Sequence, residues 1–268
     1  MRDFDGDYWG GVATEWLRAS PQPTWRKHAD HVNANLLARW LPPKRLGRLL
    51  KTDAFDEAVG DGLAPQLAAG AATVIAVDIS HVPLAAAVLK YEGLIVAAAD
   101  LRSLPFVDGS MDAVVSLSTL DHFRTLPELV AGLREVRRVL TPGGHLFLTL
   151  DNSDNPVVAL RNHLPFSWIH RLGLVPYRMG KTVGARRLRA LLVEVGMEVE
   201  EVDAVLHVPR VLAVGLANLV DRLDRDRIRR GFLGTLFAFE RLARLPTRFL
   251  TGYFVAVHAR RPSSRILP

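Results

Sequence analysis

Between residues 45 and 151, short apolar runs alternate with segments of helical periodicity. Five runs are typical of buried strands: residues 45–53, 72–80, 94–100, 111–118 and 145–151. The intervening segments include 62–70, 83–91 and 127–140, where apolar residues recur three or four positions apart. Strands that alternate with helices are joined by right-handed crossovers and form a parallel sheet. The sequence therefore predicts an α/β fold with helices on both faces of the sheet.

The rhythm changes after Asp151. Residues 152–183 are irregular, 184–196 are helical, 197–205 form a strand, 209–247 form two basic helices, and 251–261 form a seventh strand. Before the sheet, residues 24–41 predict a helix that Thr24 caps and a Pro-Pro pair ends. We therefore divide the chain into an N-terminal helical cap (1–41), a core (42–151) and a completion of the sheet (152–268) with helical insertions at 152–183 and 206–250. Insertions of this length usually serve as a lid or a substrate wall.

Composition narrows the classes of protein. The chain has no cysteine, which excludes disulfides and thiolate metal sites. Its N-terminus lacks the apolar core of a secretory signal, and no apolar run is long enough to predict a membrane span, so we expect a cytoplasmic protein. His28 and His31 share one face of the predicted first helix, but no third ligand is evident and no metal is expected.

Charge is distributed unevenly along the chain. Residues 1–160 contain 15 Lys and Arg against 19 Asp and Glu, whereas residues 161–268 contain 19 against 9. The C-terminal part could face an anionic partner, or it could be a solvated basic surface. The amphipathic, arginine-rich segment 206–250 could line an apolar pocket or contact a membrane peripherally. No recognisable RNA-binding module is present, so nucleic acid is the less favoured partner.

Carboxylates follow several of the predicted strands. Asp53, Asp78 and Asp100 end the first three strands, and Asp121 and Asp151 lie just beyond or at the ends of the fourth and fifth. In an open parallel sheet, ligands bind beyond these strand ends. Asp78 comes 16 residues after Gly62, close to the spacing at which a carboxylate binds ribose hydroxyls after a glycine turn. The alternative is that Asp78 caps the following helix.

The loop AFDEAVGDGL (54–63) is an unusual glycine turn, because it holds only Gly60 and Gly62 and is rich in acids. It could be a cofactor site, a decayed site or an ordinary acidic turn. Together with VIAVDIS (74–80), AADLRSLPFVDGSMDAVVSLSTLDHF (98–123) and REVRRVLTPGGHLFLTL (134–150), it resembles the class I S-adenosylmethionine-dependent methyltransferases, in the broad group that includes the quinone-biosynthesis enzymes. The resemblance is strong over residues 24–151.

The resemblance implies a Rossmann-like, seven-stranded sheet, mostly parallel with an antiparallel last strand, and a helical substrate lobe. It implies S-adenosyl-L-methionine as cofactor. The residues that it places around the cofactor are Asp53, Glu57, Gly60, Gly62, Asp78, Ile79, Asp100, Leu101 and Ser118. Within this set, Asp78 would bind the ribose diol, Asp100 the adenine amino group, and Ser118 would border the methionine moiety. An acid in the glycine loop would suit the cationic cofactor, and we favour a working variant site over a decayed one.

A base is needed only if the methyl acceptor must lose a proton. His122, just after the fourth strand, is our candidate, and Asp121 could orient it or act in its place. The alternative is a histidine that only packs. We expect a small or lipid-like acceptor, anionic if it uses the basic rim. The alternatives are a non-catalytic cofactor-fold protein with a degenerate glycine loop, an RNA methyltransferase and, less favoured, a nicotinamide oxidoreductase.

Overall fold

A computed structural model describes residues 3–19 and 22–263. In these residues, seven strands form one sheet: β1 (Leu46–Lys51), β2 (Ala71–Asp78), β3 (Ile95–Ala98), β4 (Met111–Leu117), β5 (Leu140–Asp151), β6 (Glu198–Val205) and β7 (Phe254–Arg260). The sheet has the order β3-β2-β1-β4-β5-β7-β6. Strand β7 pairs antiparallel with both β5 and β6, and the other pairs are parallel. The predicted fold is confirmed.

The helices of the described residues cover both faces of the sheet. They are α1 (Asp3–Ala19), α2 (Pro23–Trp40), α3 (Phe55–Val59), α4 (Ala64–Gly70), α5 (His81–Lys90), α6 (Leu126–Val139), α7 (Pro156–His163), α8 (Phe166–Arg171), α9 (Ala185–Glu194), α10 (Arg210–Leu223), α11 (Asp226–Phe239) and α12 (Arg248–Thr251). A short 3-10 helix, Leu120–His122, follows β4. No helix in the described ranges is long and apolar enough to cross a membrane.

Two apolar cores lie on opposite faces of the sheet, because neighbouring strand residues point to opposite sides. On one face, Leu49 of β1 belongs to a core that α2, α4, α10 and α11 cover. On the other face, Leu50 belongs to a core that α6 and α9 cover. Both leucines are fully buried. This arrangement leaves the carboxyl ends of the parallel strands open as the place where a ligand can enter.

A local signal explains the start of α6, which leads directly into β5. Thr125 accepts a hydrogen bond from the Glu128 amide, while the Glu128 carboxylate accepts one from the Thr125 amide, which is a capping box. Strand β5 then begins at Leu140, five residues before its predicted start. The Thr-Pro-Gly-Gly stretch forms a bulge within β5: Leu140 pairs with Met111 but His145 pairs with Ala113, and Gly143, with a left-handed φ of 80°, donates a backbone hydrogen bond to Arg261.

Helices α1 and α3 lie where no individual helix was predicted from the sequence. Helix α1 contains three glycines, which are unfavourable inside a helix, and it packs on α3 and α5. Helix α3 occupies the segment that was expected to be a glycine loop. Both helices lie next to the carboxyl ends of the strands, so both differences fall where the candidate site is.

Candidate active site

A cavity of about 230 Å³ lies at the carboxyl ends of β1 to β4, beneath α1 and α2. Seven of the eleven site residues predicted from the sequence line it: Asp53, Asp78, Ile79, Asp100, Leu101, Ser118 and His122. The structure does not bring the other four, Glu57, Gly60, Gly62 and Asp121, to the cavity surface. The sheet therefore brings residues as far apart in the sequence as Asp53 and His122, 69 positions, into one site. The predicted residues that do not line the cavity come mainly from the glycine loop.

Asp78 ends β2 at the cavity wall. Its carboxylate accepts hydrogen bonds from the amides of Ser80 (2.9 Å) and Ala54 (3.2 Å), which hold it in place. Burial raises the pKa of Asp78 to about 6 although these two bonds lower it. The alternative role for Asp78, capping the following helix, belongs instead to Ser80, whose hydroxyl accepts a hydrogen bond from the Val82 amide at the start of α5. Asp78 is therefore oriented toward the cavity by the backbone on both sides of it.

Asp100 lies at the cavity edge beyond β3 and forms an ion pair with Arg102. The Arg102 Nη2 lies 2.6 Å from Asp100 Oδ2, and Arg102 also pairs with Glu128 at 2.9 Å. Arg102 itself lines the cavity. The predicted contact of Asp100 with an adenine amino group remains a prediction, and it would have to coexist with this guanidinium.

Lys51 governs the electrostatics of the loop at residues 54–63. Sequence reasoning did not identify it. Its ammonium is fully buried at the end of β1, 2.8 Å from Asp53 Oδ1 and 2.7 Å from Glu57 Oε2. Burial opposes the charge, but the two carboxylates hold the pKa of Lys51 above its ordinary value. The signal was a lysine inside the apolar run Leu49-Leu50-Lys51. Because Lys51 neutralises part of the acid, the loop is less negative than its composition suggests.

Glu57 performs a structural task in the fold. Its side chain is fully buried, and its Oε1 accepts a hydrogen bond from the Leu63 amide at 2.9 Å. Gly62 has a left-handed φ of 57°, and a Cβ there would come within 2.8 Å of the Glu57 carboxylate. A Cβ at Gly60 would come within 2.6 Å of the Arg26 guanidinium. Packing against Glu57 and Arg26 thus accounts for both glycines, and their contact with a cofactor remains a prediction.

Ser118, directly after β4, has a strained backbone at the cavity. Its φ is 53°, a left-handed value that is uncommon for a residue with a side chain and that clusters at functional sites. The Ser118 hydroxyl donates to Asp121 Oδ2 at 3.0 Å, and the Asp151 amide donates to the same oxygen at 3.0 Å. Asp121 is fully buried, and burial raises its pKa. Asp121 therefore supports the loop after β4 from below.

His122 lines the cavity within an aromatic group. Its ring centroid lies 4.5 Å from that of Trp9 and 5.5 Å from that of Tyr177. Its Nε2 is 4.0 Å from Asp121 Oδ1, which is longer than a hydrogen bond. Burial lowers the pKa of His122 to about 4, so the imidazole is neutral near pH 7. Trp16, which lies 5.4 Å from Phe55, extends this aromatic wall.

A cationic group closes the cavity on the side of the C-terminal insertion. Arg210, at the start of α10, lines the cavity, and its guanidinium lies 4.8 Å from the ring centroid of Tyr253. Arg161 pairs with the fully buried Asp151 at 2.7 Å and donates to the Tyr253 hydroxyl at 2.7 Å. Sequence reasoning missed these partners because 92 residues separate Arg161 from Tyr253. Asp151 thus neutralises Arg161, whereas no carboxylate among the described residues forms an ion pair with Arg210.

The residues present fit S-adenosylmethionine. Carboxylates of Asp53, Asp56 and Asp78 line the cavity, and Ile79, Pro83 and Leu101 add apolar surface to its lining. Hydroxyl groups of a ribose and a cationic amine need carboxylate partners, and an adenine ring needs apolar surface. In the described residues, no group of three or more histidine or acidic side chains is placed to hold a metal ion.

This sheet order is that of the class I methyltransferase fold, and here acids at the ends of β1, β2 and β3 lie around one cavity. Residues 55–148 match the family described as a methyltransferase domain, which confirms the recognition made from the motifs. The cofactor of the class is S-adenosylmethionine.

Similar proteins agree on the class. A probable S-adenosylmethionine-dependent methyltransferase of Mycolicibacterium smegmatis is 30% identical over 62% of this chain and 58% of its own length. A demethylmenaquinone methyltransferase of Corynebacterium efficiens is 35% identical over 40% of this chain and 44% of its own length. A geranyl diphosphate C-methyltransferase of Streptomyces coelicolor has the same fold (TM-score 0.55, 13% identity, 85% of this chain and 78% of that one). The chain thus spans less than two thirds of the length of the first two of these proteins.

Proposed function

We propose that this protein transfers a methyl group from S-adenosylmethionine to a small or lipid-like acceptor that carries an anionic group. The observation that supports this proposal is the mixed lining of the cavity. Carboxylates at the ends of β1 to β3, the aromatic side chains Trp9, Trp16 and Tyr177, and the Arg210 guanidinium all line it. The carboxylates suit a nucleoside with a positive sulfur, and the aromatic side chains with Arg210 suit an apolar molecule with a negative group.

On the cofactor side, each residue has a distinct task. Asp78 would bind the ribose diol, with Ile79 and Leu101 against the adenine. Asp53 would meet the ammonium group, since its carboxylate lines the cavity although Lys51 holds one of its oxygens at 2.8 Å. Ser118 would border the methionine moiety. Glu57 would act indirectly, by fixing the loop through Lys51 and the Leu63 amide.

On the acceptor side, Trp9, Trp16 and Tyr177 offer flat apolar surface and Arg210 offers a fixed charge. Although burial opposes it, the electrostatics of Tyr253, Tyr177 and Asp151 hold the pKa of Arg210 above its ordinary value, so its guanidinium stays charged. A buried guanidinium recognises carboxylates and phosphates. The relative from Corynebacterium efficiens is named for a quinone acceptor, which is in keeping with an apolar wall.

The bound cofactor supplies an electrophilic methyl group on a positive sulfur. The protein aligns the acceptor with that methyl group, excludes water with α1 and α2, and retains the negative group of the acceptor at Arg210. If the acceptor atom carries a proton, His122 is the group that would take it, because its imidazole is neutral at pH 7 and faces the cavity.

The main rival is a protein that keeps the fold and binds a ligand without transferring a methyl group. Helix α3, in the place of a glycine-rich loop, is the observation that favours it. Affinity for S-adenosylmethionine separates the two, because a ligand that binds only the folded state at 100 times its Kd stabilises it by about 2.7 kcal/mol. A nicotinamide oxidoreductase would be stabilised by NAD instead.

The test is a thermal-shift comparison of S-adenosylmethionine, S-adenosylhomocysteine and NAD, on the wild type and on Asp78→Ala. Asp112→Ala is the matched control, since Asp112 also accepts from two backbone amides, Gly47 (2.8 Å) and Arg48 (2.9 Å), near the amino ends of β1 and β4. We expect both variants to lose stability and only Asp78→Ala to lose the shift. A wild type that no adenosyl ligand stabilises would support the rival. An unchanged shift in Asp78→Ala would refute the ribose assignment.

A further inference from the structure

Helix α10 has two apolar stripes, and one of them faces outward. Ala213, Ala217 and Val220 are buried against the core. Leu212, Leu216, Leu219 and Leu223 recur at helical spacing on the outer side and are exposed by 42 to 62%. A helix that only served as a lid would need the inner stripe alone. The outer stripe therefore calls for a second apolar environment.

The outer stripe belongs to a larger apolar region. Of the twenty exposed large hydrophobic side chains in the described part of the chain, eleven lie in residues 157–174 and 211–223. Helices α7 and α10 meet there, since Val157 lines a surface groove with Val211, Leu212 and Leu216. Trp168 on α8 is 67% exposed. Apolar patches of this kind on a folded protein usually mark an interaction site.

The groove connects this region with the candidate active site. Arg210 lines both the groove and the cavity at the strand ends. A molecule whose apolar part lies in the groove between α7 and α10 would thus present its polar end to the Arg210 guanidinium. The outward apolar face is therefore next to an entrance that suits an amphipathic molecule.

Unpaired arginines follow the outer stripe in the sequence, at the end of α10 and the start of α11. Arg222, Arg225, Arg227 and Arg230 are exposed and form no ion pair with any described residue. The acids of this segment, Asp221, Asp224 and Asp226, are all within 3.9 Å of Arg229. The segment thus combines exposed leucines with a positive charge that its own acids do not balance.

We propose that this surface, which we call the α10 face (Val211, Leu212, Leu216, Leu219, Leu223, Arg222, Arg225, Arg227 and Arg230), docks on an anionic membrane surface. Leucines would enter the boundary between headgroups and acyl chains, and the arginines would contact the anionic headgroups. A second copy of this chain fits less well, because a two-fold interface would bring the unbalanced positive charge of both copies into one contact. The docking does not depend on methyl transfer.

Vesicle flotation tests this inference, with phosphatidylcholine vesicles that either contain or lack phosphatidylglycerol. We expect binding only when phosphatidylglycerol is present. Each arginine near an anionic surface contributes about fivefold to binding, so Arg225→Gln/Arg227→Gln/Arg230→Gln should weaken it on the order of a hundredfold. Leu216→Ser/Leu219→Ser should weaken it at least about tenfold, from the loss of two inserted side chains. Both variants change exposed positions and should fold.

Helix α9 supplies matched controls on the opposite face of the sheet. Val193 is 58% exposed there, and Arg186, Arg187 and Arg189 are exposed as well. Val193→Ser and Arg186→Gln/Arg187→Gln/Arg189→Gln should leave vesicle binding unchanged. An equal loss in these controls, no binding to phosphatidylglycerol vesicles, or equal binding to phosphatidylcholine alone would overturn the inference. So would a dimer that Leu216→Ser/Leu219→Ser converts to a monomer, or transfer RNA binding that replaces vesicle binding.

Discussion

The Lys51 ammonium lies 2.7 Å from the Glu57 carboxylate, inside the fold and directly beneath the loop where a methyltransferase domain ordinarily has glycines. Lys51 is 2% exposed and Glu57 is fully buried. The pair joins the end of β1 to helix α3, and Glu57 in turn holds the Leu63 amide. In this chain a buried ion pair, rather than the flexibility of glycines, therefore fixes the conformation of the loop.

The first prediction concerns this pair. Lys51→Met should lower the free energy of unfolding by about 3–5 kcal/mol, because it leaves Glu57 and Asp53 buried without their cation. In Lys51→Met/Glu57→Gln, part of that loss should be recovered, since the neutral amide can still accept from Leu63. Urea unfolding of the four proteins of the cycle measures the coupling between the two residues.

The control for this cycle is an exposed pair. Asp224→Asn breaks an ion pair with Arg229 in which Asp224 is 89% exposed, and it should cost less than about 1 kcal/mol. If Lys51→Met costs no more than this control, the buried pair does not hold the loop. If the double variant is no more stable than Lys51→Met, Glu57 is not the group that Lys51 neutralises.

The sheet was predictable from the sequence because each strand carries its own signal. Apolar runs bounded by helical segments place β1 to β5 within a few residues of their observed bounds. Thr125 and Glu128 indicate where α6 begins. Helix α1 lacks such a signal: its glycines allow close approach to another element, since a Cβ at Gly10 would come within 3.1 Å of the Ser80 hydroxyl. This segment is helical because of its tertiary packing. The one sequence signal for it was the spacing of Trp9 and Trp16, which lie two helical turns apart on the same face.

The candidate site was predictable only along the strand ends. Asp78 and Asp100 follow apolar runs that can be read locally, whereas Tyr177 reaches the site from the irregular segment 152–183 and Arg210 from the start of a predicted basic helix. The acids of the loop were interpreted as partners for a cationic cofactor. The structure pairs Glu57 with Lys51, a contact between positions six apart whose geometry depends on the unpredicted helix α3.

The second prediction is that binding of S-adenosylmethionine releases protons. Burial, followed by repulsion from Asp56, raises the pKa of Asp30 to about 7, and Asp30 lines the cavity. A bound cation stabilises the ionised form and lowers that pKa, so about half a proton should leave near pH 7, where the group is half ionised. Calorimetry in phosphate and in Tris measures the release, because the two buffers have different ionisation heats.

Two comparisons assign this release to Asp30. Asp30→Asn should abolish it while the affinity for the cofactor remains measurable. S-adenosylhomocysteine, which lacks the positive sulfur, should release fewer protons than S-adenosylmethionine. Equal release by the variant and the wild type would contradict the assignment.

The third prediction concerns the titration of His122. Burial lowers its pKa to about 4, from about 6.5 in an unfolded chain. Between these two values the unfolded chain binds a proton that the folded protein does not. The contribution of His122 to stability is therefore complete above pH 6.5 and is lost as the pH falls toward 4. His122→Gln should flatten the pH dependence of urea unfolding between pH 4 and 6.5, relative to wild type.

Nitrogen-15 NMR of the imidazole groups measures the same property directly. The signal that disappears in His122→Gln should keep the shifts of a neutral ring at pH 5.5, and a midpoint near 6.5 would contradict the burial argument. A neutral imidazole with so low a pKa is a weak base, so it can accept a proton only from an acidic group such as a phenol or an enol. If His122 takes part in the reaction, its replacement by Gln should lower turnover of such acceptors and leave the affinity for S-adenosylmethionine unchanged, whereas acceptors that lose no proton should react equally well with both proteins.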